Sequence, residues 1–119
     1  MSIVVATTRP EALTGFMDGL TKESGQDIGV APTGAVALEW VAAKAPVLVV
    51  IDEGLPDHTP LELVREIMMV SAMTLTAVIT AMSEEEFHED AEGYGVLMPL
   101  PTDPAARDGV ELAKRLSGI

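Results

Sequence analysis

The sequence of 119 residues contains no cysteine. Disulfide bonds, thiol catalysis and zinc sites built from thiolates are therefore excluded. Apolar runs such as Val47–Ile51 have the length of a strand, far short of the roughly 20 residues that a membrane-spanning helix needs. The first residues place no basic region ahead of an apolar core, so no signal peptide is predicted and we expect a cytoplasmic protein.

Basic residues are also scarce. The chain has 7 Lys and Arg against 19 Asp and Glu, which gives a formal net charge of −12. Such a surface repels the phosphates of nucleic acids and of anionic lipids. We therefore expect neither nucleic acid nor membranes as partners. The acidic residues either keep the domain soluble or steer a protein partner toward it.

Short runs rich in β-branched residues recur along the chain and predict strands. They are Ser2–Ala6, Asp27–Ala31, Val47–Asp52, Thr74–Thr80 and, more weakly, Gly95–Met98. The third run is apolar at every position from Val47 to Ile51. A strand with both faces buried has this pattern, which is typical of the centre of a parallel sheet.

The segments between these runs have helical spacing. Apolar stripes comprise Leu13, Phe16, Met17 and Leu20, then Leu63, Ile67 and Val70, and finally Val110, Ala113 and Leu116. Capping boxes are predicted at Thr59 and Ser83, and a further helix start at Asp103. Gly25 and Gly93 are predicted helix stops.

A strand followed by a helix thus occurs five times. Right-handed crossovers then predict a parallel five-stranded sheet with helices on both faces. We expect one domain over residues 1–119, of the (βα)5 doubly wound α/β class.

In such a sheet, ligands bind beyond the carboxyl ends of the strands. The candidate crevice residues are Thr7, Thr8, Asp52, Glu53, Thr80 and Met98. Asp52 is the most notable, because it is a carboxylate at the end of a wholly apolar run. Its alternative role is a cap on the turn that leaves the strand.

The segment 47–57, Val-Leu-Val-Val-Ile-Asp-Glu-Gly-Leu-Pro-Asp, resembles the third strand and following loop of CheY-like response-regulator receiver domains. The similarity continues through Leu-Glu-Leu-Val-Arg at 61–65, Ala-Val-Ile-Thr-Ala at 77–81 and Leu-Met-Pro-Leu at 97–100. The five strand–helix units extend it over the whole chain.

The resemblance implies a flavodoxin-like strand order of 2-1-3-4-5 and a role in two-component (phosphorelay) signal transduction. It identifies Asp52 as the phospho-acceptor and Thr80 as the conformational switch. The implied partners are a histidine kinase or a downstream effector, with docking or homodimerisation through residues 83–116. It also implies a cis peptide bond between Met98 and Pro99. The sequence contains no base, nucleophile or phosphate-loop constellation, so we expect a non-enzymatic protein.

The sequence departs from the family at several positions. The acidic pair that holds Mg²⁺ after the first strand is replaced by Thr7 and Thr8, the family's lysine by Met98, and a glycine of the loop by Pro60. Phosphoryl transfer depends on such cations to neutralise charge.

Asp52 with one backbone carbonyl forms a poor Mg²⁺ ligand set, and Glu53 is the candidate for a substitute ligand. We therefore expect at most weak Mg²⁺ binding and no other cofactor. We therefore expect weak or absent phosphorylation of Asp52. The chain would then be an atypical receiver or pseudo-receiver that acts through protein–protein contacts.

The alternative is an enzyme or small-ligand binder that uses the crevice near Thr7, Thr8, Asp52 and Thr80, since a fold does not fix a function. A deep apolar pocket there would favour this alternative, whereas a shallow acidic depression would favour the signalling module.

Several other residues have less specific patterns. His58 and His88 lack metal-type spacing and are predicted at the surface. Trp40 lies on the predicted second helix and is expected to pack against the core, with an interface anchor as the alternative. The seven methionines either fill gaps in the core or mark an adaptable contact surface.

Overall fold

The computed structural model describes residues 2 to 118. Its strands are β1 (Ser2–Ala6), β2 (Asp27–Ala31), β3 (Leu48–Ile51), β4 (Leu75–Ile79) and β5 (Val96–Leu100). Its helices are α1 (Thr14–Ser24, preceded by a 3-10 turn over Pro10–Leu13), α2 (Gly34–Lys44), α3 (Pro60–Val70), α4 (Glu84–Ala91) and α5 (Ala106–Ser117). Among these helices, none combines the length and apolar character needed to cross a membrane.

The five strands form one parallel sheet in the order β2-β1-β3-β4-β5. This confirms the predicted (βα)5 fold and its strand order. At the carboxyl edge of the sheet, Ala6 lies opposite both Ala31 and Ile51. The loops that follow β1, β2 and β3 therefore leave the sheet side by side.

The strand side chains alternate between two apolar clusters, one on each face of the sheet. One cluster includes Val4, Val49, Ile51, Leu63, Ile67 and Phe87, and the other includes Ile3, Val5, Phe16, Leu20, Val50 and Leu112. The central strand β3 is buried at all four positions, which explains why its sequence is apolar throughout.

Both predicted capping boxes are present. The Thr59 amide donates to Glu62 Oε1 at 2.9 Å, and the Glu62 amide donates back to Thr59 Oγ1 at 3.4 Å. Ser83 and Glu86 exchange the equivalent bonds at the start of α4. These reciprocal bonds satisfy amide groups that the first helical turn leaves without partners.

Two predictions near the carboxyl end of the chain were wrong. α5 begins at Ala106 instead of directly after Asp103, because the Asp108 carboxylate accepts a bond from the Ala105 amide at 2.7 Å. No peptide bond in the described residues is cis, including that between Met98 and Pro99. Pro99 lies within the edge strand β5, where an extended proline fits and a missing amide donor is tolerated.

Helices α1 and α5 contact each other through their backbones at two buried glycines. A Cβ atom on Gly19 would lie 2.2 Å from the carbonyl oxygen of Ala106, and one on Gly109 would lie 2.2 Å from that of Phe16. Only glycine permits this approach, since the atoms in the way belong to rigid helical backbone.

We predict that Gly19→Ala lowers the free energy of unfolding by about 1–3 kcal/mol, because the two helices must move apart. Gly15→Ala is the matched control, since a Cβ there meets nothing within 4 Å. It should raise stability by up to about 1 kcal/mol through helix propensity. Urea denaturation of both variants tests the contact, and an equal effect at the two sites would contradict it.

Candidate functional site

Asp52 lies directly after β3, in the crevice at the carboxyl ends of the strands. Its amide donates to the carbonyl oxygen of Ala6 at 2.9 Å, and the residue is 0% exposed. A carboxylate in this position has lost its water and needs compensating donors or a cation.

Four donors surround the Asp52 carboxylate. Oδ2 accepts from the Thr7 hydroxyl at 2.7 Å and from Arg9 Nε at 2.8 Å. Oδ1 accepts from Arg9 Nη2 at 3.0 Å and from the amide of Glu53 at 2.9 Å. Each oxygen thus has two partners, which is its full hydrogen-bonding capacity. The Arg9 contact is bidentate, the strongest form of an arginine–carboxylate pair.

Arg9 joins three loops of the crevice. Besides Asp52, its Nη2 donates to the carbonyl oxygen of Thr102, in the loop between β5 and α5. The Arg9 amide donates to Thr7 Oγ1 at 3.0 Å, which orients the start of the side chain. Its hydrogen bond to Asp52 raises the pKa of Arg9, and this effect outweighs desolvation. The guanidinium is therefore a permanent cation beside Asp52.

The sequence did not identify Arg9 as a site residue. The available signal was that Arg9 is the one basic residue before Lys22, in the loop that follows β1. A cation on that loop lies within reach of any carboxylate that ends β3, because the two strands are neighbours in the sheet.

Thr80 and Glu53 make bonds of their own near the crevice. Thr80 is buried, and its hydroxyl accepts from the amide of Met82 at 3.1 Å. The exposed Glu53 carboxylate accepts from the amide of Ala81 at 3.3 Å. Within residues 2 to 118, no hydrogen bond joins Thr80 to Asp52.

The structure does not bring the other two predicted crevice residues to Asp52. Thr8 is exposed and has no hydrogen bond to the carboxylate within the described part of the chain. Met98 packs, partly buried, against the apolar cluster on the α1 and α5 face of the sheet. The assembled group therefore consists of Thr7, Arg9 and Asp52.

These residues do not fit a Mg²⁺ ion. Mg²⁺ requires several oxygen ligands in octahedral array, but the Asp52 oxygens already face donors. Glu53 presents its amide to Asp52, while its carboxylate is turned toward Ala81. In the described residues, no group of three or more His, Asp or Glu side chains is placed to hold a metal ion.

The cavities near the crevice are small. The depression beside Thr80 and Glu53 has a volume of about 190 Å³, whereas sites for small ligands typically measure roughly 300–1,000 Å³. A larger groove of about 660 Å³ runs between α4 and β5, lined by residues that include His88, Leu97 and Arg115. It includes none of the residues that contact Asp52.

His58 connects the loop after β3 to two helices. Its side chain is only 15% exposed, so it is partly buried and not at the surface as predicted, whereas His88 is exposed as predicted. Nε2 pairs with Glu66 of α3, and Nδ1 lies 3.2 Å from Asp57 Oδ1. The Asp57 carboxylate in turn accepts from the amides of Gly34 and Ala35 at 2.9 Å each, at the start of α2.

These contacts shift the pKa of both side chains. Bonds from the amides of Gly34 and Ala35 lower the pKa of Asp57 to about 2. Burial disfavours the charged imidazole of His58, but its interactions with Asp57 and Glu66 outweigh burial and raise its pKa above 6.5. Protonated His58 therefore stabilises the folded state.

We predict that this contribution depends on pH. Because the folded-state pKa of His58 is raised, the stabilisation is fully present below pH 6.5, the ordinary histidine value, and is lost as pH rises through the folded pKa. The stability difference between the wild type and His58→Gln, measured by urea denaturation, should therefore shrink with rising pH. A difference that stays constant from pH 5 to 9 would count against this pairing.

We also predict an asymmetry at Asp52. Arg9→Met leaves the buried Asp52 carboxylate without its cation and should lower the free energy of unfolding by about 2 kcal/mol or more. This loss is somewhat below the usual penalty for breaking a buried ion pair, because Arg9 is 38% exposed. The same substitution in an Asp52→Asn background should cost clearly less. Denaturation of the four proteins measures the coupling, and equal costs in both backgrounds would show that the pair does not stabilise the fold.

Comparisons with known proteins place this geometry in context. No family model matches the sequence, and no curated protein sequence matches it. Solved structures do match it, at low sequence identity.

A CheY-like response-regulator receiver domain protein from Methanospirillum hungatei JF-1 has a TM-score of 0.81 and 19% identity over 98% of this chain and 94% of its own. A two-component response regulator from Legionella pneumophila has a TM-score of 0.78 and 18% identity over 100% and 99% of the two chains.

A structure described as adenylate cyclase, from Rhodopirellula baltica, is also similar, with a TM-score of 0.72 and 13% identity over 98% of this chain and 92% of its own. The neighbours thus include many receiver domains that cover nearly the whole chain. The fold of this chain is that of the CheY-like response-regulator receiver domains.

Proposed function

We propose that this chain is a receiver-type module of two-component (phosphorelay) signalling in which Asp52 is not phosphorylated. The observation that carries the proposal is the bidentate pair between Arg9 and the buried Asp52. Together with the bonds from the Thr7 hydroxyl and the Glu53 amide, the bonds from Arg9 occupy both oxygens of the Asp52 carboxylate. The chain therefore carries its own counterion at the position of the phospho-acceptor.

The chemistry of phosphorylation supports this proposal. A carboxylate oxygen has to attack phosphorus while cations neutralise the charge of the transferred group. Attack by Oδ2 requires loss of its bonds to Thr7 and Arg9, and each hydrogen bond to a charged group is worth about 1.5–3 kcal/mol. Arg9 stabilises the unmodified acceptor, so it opposes the reaction that a Mg²⁺ ion in the same place would favour.

We propose that the loops around the crevice stay in one conformation and that no phosphorylation is needed to hold them there. Arg9 connects the loop after β1 to Asp52 and to Thr102 in the loop after β5. The Thr80 hydroxyl is bonded within its own turn. A module of this kind signals through its surface, with neither catalysis nor a cofactor.

The proposed contact surface is the region 83–116. The first turn of α4 presents three exposed acidic residues, Glu84, Glu85 and Glu86, and further exposed acids follow at Glu89, Asp90 and Glu92. Beside them lies the groove between α4 and β5. This charge favours a partner with a basic surface, such as a kinase or effector, and disfavours a second copy through the same face because like charges would meet.

Small-ligand binding or catalysis at the crevice has less support. The depression beside Thr80 is small, and the one buried carboxylate is already paired. The described residues bring no nucleophile and base together at this edge of the sheet.

Phosphorylation is tested directly by intact-mass measurement after incubation with Mg²⁺ and acetyl phosphate. We expect no mass gain in the wild type or in Asp52→Asn, whereas a receiver that has the usual acidic pair and lysine serves as the positive control. A gain of one phosphoryl group in the wild type that is absent from Asp52→Asn would overturn the proposal.

A further inference from the structure

The large apolar side chains that are exposed in the described residues are confined to one short segment. Met68, Met69, Val70 and Met73 are 38%, 83%, 49% and 88% exposed, at the end of α3 and in the loop to β4. Scattered single apolar residues are normal on protein surfaces, but a contiguous group marks an interaction site.

The end of α2 extends this apolar area. Thr74 Oγ1 donates to the carbonyl oxygen of Pro46 at 2.8 Å, and the Leu75 amide donates to that of Val47 at 3.1 Å. These bonds hold the loops after α2 and α3 together. Exposed alanines lie at the end of α2, namely Ala42, Ala43 and Ala45, with the exposed Lys44 between them. The methionine surface is defined here as Met68, Met69, Val70 and Met73 with these alanines.

Charge is distributed unevenly around the methionine surface. No charged residue occurs from Ile67 to Ser83. The preceding turns of α3 carry the exposed Glu62, Arg65 and Glu66, and Glu66 is one helical turn before Met69 and Val70. The methionines thus lie on an uncharged segment next to side chains of both signs, on a chain whose net charge is −12.

The chemistry of methionine indicates the kind of partner. Methionine is flexible and polarizable, so a group of exposed methionines adapts to varied apolar side chains. Amphipathic helices bind such surfaces with one apolar face. A basic helix adds attraction to the acidic chain, whereas an anionic membrane or a second copy of the chain adds repulsion.

We propose that the methionine surface binds the apolar face of a basic amphipathic helix of a partner protein. The surface lies where α3 leads into the amino-terminal end of β4, at the opposite end of the sheet from Asp52. It shares no residue with the region 83–116, which α3 contacts through the bond from Arg65 to the Tyr94 hydroxyl. The proposal therefore stands whether or not Asp52 is phosphorylated.

The test is calorimetric titration of the whole chain with an 18-residue amphipathic peptide of leucine and lysine. Binding should weaken at least about tenfold in the double variant Met69→Gln/Met73→Gln, because two apolar side chains no longer contribute buried area. The high exposure of both residues means that folding should not be affected. An equivalent peptide of leucine and glutamate should not bind.

The matched control is Glu84→Gln/Glu85→Gln, which removes two charges from α4 and leaves the methionine surface intact. If peptide binding weakens equally in the two double variants, the interaction depends on the overall charge of the chain and the proposal is overturned. Undiminished peptide binding by the methionine variant would overturn it as well.

Two further outcomes would replace the proposed partner. Concentration-dependent dimers of the wild type in sedimentation velocity, lost in the methionine variant, would identify a second copy as the occupant. Co-sedimentation of the wild type with phosphatidylserine-containing vesicles, lost in the same variant, would identify a membrane.

Discussion

The ion pair between Arg9 and Asp52 is the interaction on which the crevice depends. The fold places the end of β3 between β1 and β4, so the Asp52 carboxylate is buried. A buried carboxylate is tolerated only with a cation or several donors. Here the neighbouring loop supplies both, through the guanidinium of Arg9 and the hydroxyl of Thr7. The cation beside Asp52 is thus a side chain of the protein itself.

The two ends of the sheet differ in polarity. At the carboxyl edge, polar groups are paired with one another, and Arg9 draws the loops after β1, β3 and β5 together. At the amino-terminal edge, hydrogen bonds at Pro46 and Val47 hold two loops under an apolar surface. The acidic residues of α4 lie on a third region. The three regions thus differ in polarity and charge.

The sequence predicted the fold well because the fold depends on local patterns. The apolar run of β3, the helical stripes and the boxes at Thr59 and Ser83 each depend on a few adjacent residues. The position of Asp52 directly after β3 follows from the same apolar run. Arg9 was missed because its partner is 43 positions away in sequence, a pairing that only the strand order creates. The burial of His58 likewise depends on contacts with α2 and α3.

The most direct measurement of the pairing between Arg9 and Asp52 is the Nε–Hε region of a ¹⁵N–¹H NMR spectrum. The chain has four arginines, at positions 9, 65, 107 and 115. We predict one slowly exchanging Nε–Hε signal that belongs to Arg9, is lost in Asp52→Asn and is unchanged by millimolar Mg²⁺. Fast exchange of the Nε–Hε proton at all four arginines would show that Arg9 is not held by Asp52. Loss of the Arg9 signal when Mg²⁺ is added would show that Asp52 is free to take up a metal ion. Either result would contradict the proposed role of Arg9.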